Sequence, residues 1–144
     1  MSPRALLLAV LALWPAGASR TRVEAAADAI VGVVAAARAQ YPRLPSALLV
    51  AVGWRETALG LGAGESGGWG AVTARGLPRP ALDAARVLDA SLTACWGRTT
   101  HARQLAALRR FRTGSCERSA VGDAYARRTA ALALRIARQR KGVR

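Results

Sequence analysis

The residue in this chain best placed for chemistry is Glu56, inside the stretch LPSALLVAVGWRETALGLGAGESGGWGAVT from Leu44 to Thr73. Leu49, Val52 and Gly53 precede it by seven, four and three positions, so at 3.6 residues per turn the carboxylate emerges on the same helix face as an apolar stripe. Such a face turns inward. A helix C-terminus also presents the negative end of the dipole, which disfavours a nearby anion by roughly 0.3–1 kcal/mol when exposed. Both effects push the carboxyl pKa upward. An acid that keeps its proton near neutral pH can serve as the general acid for cleaving a glycosidic bond, because the leaving oxygen must be protonated as the bond breaks. Spacing alone equally allows a solvated glutamate at a frayed helix end. Glu65, in the glycine-rich segment nine residues on, is the nearby carboxylate that could handle water in a two-carboxylate hydrolysis, or simply be solvated or paired with Arg55 or Arg75.

Helices must position these groups. Thr21-Arg22-Val23-Glu24 has the form of a capping box, and Val23, Ala27, Ile30 and Val34 continue one apolar face to about Arg38, before Tyr41-Pro42 interrupts it. Pro45 suits a first helical turn, so a second helix is predicted over Ser46 to Glu56. Between Gly60 and Gly76 the glycines crowd too closely for a helix, and an ordered loop carrying Trp69 is expected. Pro80 opens a third helix with an apolar stripe of Ala81, Ala85, Leu88, Leu92 and Cys95, ended by Gly97. Thr99 or Thr100 caps a fourth, in which Leu105, Leu108 and Phe111 face inward and Arg103, Arg109, Arg110 and Arg112 lie mostly outside. After the turn Thr113-Gly114-Ser115, a fifth helix from about Gly122 buries Tyr125, Thr129, Leu132 and Ile136. Sustained strand alternation and repeats are absent. The class is therefore all-α, a single domain of about five helices with one glycine-rich loop.

Residues 1–18 read as a secretory signal peptide: a basic start, an apolar run from Ala5 to Trp14 too short to span a bilayer, and a small-x-small site at Ala16-Gly17-Ala18. An uncleaved anchor is the lesser alternative. The mature domain would run over residues 19–137, with a basic tail at 138–144. Loss of Arg4 leaves 21 basic against 8 acidic residues, a charge of about +13 that favours anionic partners such as wall polymers. All the basic residues but Lys141 are arginine. They are spread over several helices without interleaved aromatics or a known reading motif, which argues against nucleic acid as partner. Cys95 and Cys116, an even count in an exported chain, are expected to form one disulfide tying the end of the third helix to the turn after the fourth. His101 has no partner at zinc spacing, so neither a metal nor another cofactor is expected. Gly64-Glu65-Ser66-Gly67-Gly68 matches a serine-nucleophile motif but lacks the strand and parallel sheet that motif requires.

LPSALLVAVGWRETALG resembles the opening of the catalytic domain of soluble lytic transglycosylases, which are related in fold to goose-type lysozymes. The resemblance implies a lysozyme-like helical domain with Glu56 as the catalytic acid and Thr57 in place of the family's serine. Gly67 to Thr73 is similar to the family's next motif, Gly-Ala-x-Gly-Leu-Met-Gln, placing Trp69, Gly70 and Thr73 along the sugar cleft, with Thr73 replacing the glutamine. Arg110 to Gly114 is similar to the Ala-Tyr-Asn-Ala-Gly segment, with Phe111 for the tyrosine and Arg112 for the asparagine; Tyr125 matches a last family tyrosine. The implied substrate is the glycan strand of peptidoglycan. The implied protein is a secreted or periplasmic monomer that makes no stable membrane insertion. A domain of the same fold that binds wall polymers without cutting them is the alternative.

Overall fold

The computed structural model describes residues 2–13, 20–57 and 79–139. These form six helices and no strand: α1 (Pro3–Leu11), α2 (Arg20–Gln40), α3 (Ser46–Thr57), α4 (Arg79–Ala94), α5 (Thr100–Thr113) and α6 (Ala120–Gln139). The all-α class expected from the sequence is what the chain adopts. Five of the helices fall where the periodicity predicts them. The sixth, α1, lies within residues 1–18, the segment read as a leader, and its Leu6, Ala9 and Val10 are buried against the rest of the fold.

At the centre of the packing stands α3. Leu48, Leu49, Val50, Ala51 and Val52 are consecutive and almost wholly buried, and Gly53 is buried as well. Five consecutive positions cover the whole circumference of a helix, so α3 is enclosed all round. The single inward stripe read from the sequence is thus too narrow a description. It packs against α1, α2, α4 and α6. Each fully buried Leu or Val contributes roughly 1.5–3 kcal/mol relative to exposure. Entry into α3 is fixed by Arg38, whose Nε donates to the Leu44 carbonyl at 3.1 Å. The Pro45 carbonyl accepts from the Leu49 amide at 3.1 Å, so Pro45 lies just before the first turn.

Discrete ties hold the second half. The Thr99 hydroxyl caps α5 by accepting from the Ala102 amide at 3.0 Å. Gly114 closes that helix in the left-handed region at φ 84°, where a side chain is strained. Cys95 and Cys116, 21 residues apart with Cα atoms 5.7 Å from one another, form the expected disulfide between the end of α4 and the α5–α6 connection. Closing such a loop stabilises the fold by about 3 kcal/mol in the chain-entropy model.

Three local expectations need correction. Helix α2 already includes Arg20, so Thr21 cannot be the N-cap that a capping box requires. Helix α6 begins at Ala120, two residues before Gly122, because the Ser119 hydroxyl accepts from the Gly122 amide at 3.0 Å and supplies the cap. Arg109 and Arg110 are half-buried, not outside, since their guanidinium groups find acceptors beneath the surface. Among the described residues no helix is long and apolar enough to cross a membrane.

Candidate active site

Glu56 lies in the last turn of α3, and the positions three, four and seven before it are buried. A carboxylate at the end of an enclosed helix has a fixed backbone anchor. Its own side chain lies outside the described part of the structure, as do Glu65, Trp69, Gly70 and Thr73 of the glycine-rich segment. One turn before the helix end, Trp54 is half-buried and packs against the core.

Phe111 and Tyr125, 14 positions apart on α5 and α6, come together. Their ring centroids are 6.3 Å apart and their planes within 9° of parallel, an offset stack. Both rings pack on the core, and Tyr125 keeps only 8% exposure. Since α6 packs along α3, the helix that carries Tyr125 also lies against the helix that carries Glu56.

Two polar networks that sequence reasoning missed orient this pair. Ser91 on α4 is fully buried; its hydroxyl donates to the Val87 carbonyl at 2.8 Å and accepts from the Arg110 guanidinium at 3.1 Å. This fixes the rotation of α5 at the residue next to Phe111. The signal was present in the sequence, because Ser91 stands at a core register of α4, three residues after Leu88 and four before Cys95. Asp123, in the first turn of α6, lies 3.1 Å from Arg118 and 3.8 Å from Arg109. Arg109 also donates to the Cys116 carbonyl at 3.0 Å. An acid in a helix first turn complements the dipole, and here it gathers the two arginines that bracket the α5–α6 turn.

At the opposite end of α3 a groove of about 450 Å³ runs between α3, α5 and α6. Pro45, Leu48 and Leu105 give it apolar lining together with the exposed Leu134, and His101 and Arg127 also line it. Among the described residues no carboxylate lines it. Among the described residues no group of three or more His, Cys, Asp or Glu side chains is gathered to hold a metal ion. Protein-family models give no match to this chain, and comparison with curated proteins and with solved structures finds no similar one.

Proposed function

We propose that this chain is a peptidoglycan lytic transglycosylase that cleaves the bond from N-acetylmuramic acid to N-acetylglucosamine with Glu56 as its one catalytic carboxylate. The observation that carries the reading is where Glu56 stands. It stands in the last turn of the helix enclosed by the rest of the fold, and α6 beside that helix brings Tyr125 into a stack with Phe111. These are the positions at which the sequence resembles the family's acid and two of its ring-bearing motifs, so the support comes from motif order and helix packing together.

In this mechanism Glu56 donates its proton to the glycosidic oxygen as the bond from C1 breaks. The resulting carboxylate then takes the proton of the same sugar's 6-hydroxyl, whose oxygen bonds to C1 and leaves a 1,6-anhydro end. The second proton transfer restores the acid, so one carboxylate serves both halves. Hydrolysis would need a second carboxylate to handle water, a role open to Glu65. Export follows from reading residues 1–18 as a leader. The excess of arginine would then hold the enzyme to anionic wall polymers.

The second reading is a non-catalytic wall-binding domain of the same fold. It is favoured by Phe111, which puts a ring without a hydroxyl where the family has tyrosine. Glu56→Gln separates the two. The amide nearly matches the acid in shape but has no proton to give at neutral pH, so lysis of purified sacculi should fall at least about 10²-fold while binding persists. Mass spectrometry of the wild-type products should find 1,6-anhydro ends. Undiminished lysis by the variant removes Glu56 from the mechanism; wall binding without products from either protein leaves the binding domain.

A further inference from the structure

Trp96 is 76% exposed, although an indole is among the side chains with the most apolar area to bury. It is not exposed because its segment is loose. Cys95 before it is buried, disulfide-bonded to Cys116, and donates its amide to the Ser91 carbonyl at 2.9 Å. The Cys95 carbonyl accepts from the Arg103 guanidinium at 3.2 Å. Gly97 after it is pressed so tightly on α5 that an added Cβ would sit 2.4 Å from the Arg103 backbone nitrogen, leaving room for glycine alone. Thr99 then caps α5. The backbone is pinned on both sides of the tryptophan while its ring faces water, the arrangement of a preorganised contact.

The connection that bears Trp96 leaves α4 after Ala94 and enters α5 at Thr100, and Thr93 in the last turn of α4 lines with Thr100 a cleft of about 210 Å³. Arg43, Asp89, Arg103 and Gln104 complete its polar lining. The volume is below the usual range for drug-sized ligands and suits a single ring. Hydroxyl and amide groups match the hydroxyls and acetamido group of a sugar, and two guanidinium groups against one carboxylate leave an excess of positive charge for a ligand carboxylate. Pro45, just before α3, also lines the cleft, whereas Glu56 is eleven residues further along. At 1.5 Å per residue the two are on the order of 16 Å apart along the helix.

We propose that the α4–α5 corner is a second glycan-binding site, in which Trp96 stacks on the apolar face of a sugar and Arg43 and Arg103 hold the carboxylate of an acidic N-acetylated residue. The site holds the polymer away from the reacting bond. Its identification with the wall glycan rests on the proposed function; the sugar chemistry of the corner does not depend on Glu56.

Calorimetric titration in the Glu56→Gln background, where no ligand is consumed, tests the site with two probes: a tetramer of N-acetylglucosamine and a tetramer in which alternate residues are N-acetylmuramic acid. The acidic tetramer should bind more tightly. Trp96→Ala should weaken both by roughly five- to tenfold, the scale of an aromatic contact. Arg43→Gln, at an exposed position, should remove the preference for the acidic probe. Circular dichroism of both variants should match the parent. Affinities within twofold of the parent for Trp96→Ala overturn the proposal, as does failure of the parent to bind either tetramer. Trp96-dependent binding to phosphatidylglycerol vesicles with no response to the tetramers also overturns it, in favour of a membrane contact. Undiminished lysis by Glu56→Gln with intact corner binding removes the catalytic reading alone, so the two proposals fail separately.

Discussion

Helix α3 is fixed by burial on every side, whereas the α5–α6 pair buries one face of each helix and adds separate polar and covalent ties. Burial is non-directional and scales with area, so α3 holds its place through the volume of its neighbours and is indifferent to salt. The ties around α5 and α6 are directional and individually modest: a hydroxyl cap, a left-handed glycine, a disulfide, an aspartate between two arginines. They supplement the buried apolar faces of these helices, Ala106 to Leu108 on α5 and Tyr125 to Ile136 on α6, on a surface crowded with arginines, where like charges repel. The enclosed helix carries the candidate acid, and the tied pair carries the Phe111–Tyr125 stack and a large share of the arginine charge.

Substitutions sharpen that contrast. Leu49→Ala empties the centre of α3 and should cost about 2–5 kcal/mol in urea unfolding, with little dependence on ionic strength. Replacing Cys95 and Cys116 together by serine should cost about 3 kcal/mol, and reductant should then have no further effect on the unfolding midpoint. Thr99→Ala removes one cap and should cost about 1 kcal/mol, detectable as faster amide exchange in the first turn of α5. The smallest change runs the other way. The Thr129 hydroxyl is buried and has no hydrogen-bond partner among the described residues, so Thr129→Val should raise stability by up to about 1 kcal/mol. A fall of more than that in the Val variant would mean that the hydroxyl has a partner in the folded protein.

How much was legible follows the same division. Stripes such as Ala81, Ala85 and Leu88 or Tyr125, Thr129 and Leu132 name the buried faces correctly, because apolar periodicity and burial have one physical cause. The cysteine pair was readable from its even count. Starts and ends were less so: Ser119 opens α6 two residues early through one hydroxyl, which periodicity cannot register. For the site, Glu56 was placed on its helix by spacing alone. The meeting of Phe111 with Tyr125 was not derivable from spacing, because it depends on how α5 and α6 are turned against each other by Arg110, Ser91 and the Asp123 cluster. Trp96 was passed over because its exposure follows from a close approach between Gly97 and α5, a three-dimensional fact.

The packing of α1 sets two fates for one apolar segment in competition. Leu6, Ala9 and Val10 can be handed to export machinery as an extended, removable run, or they can lie against the rest of the fold, as they do here, but not both at once. A chain cut after Ala18, were it made, would therefore present a different surface from the one that keeps them. The shorter one loses burial of roughly 1.5–3 kcal/mol for each of Leu6 and Val10 and bares the residues they covered on neighbouring helices. If residues 1–18 serve as a leader, cleavage has to precede this packing, since a domain closed over the segment hides the site of the cut.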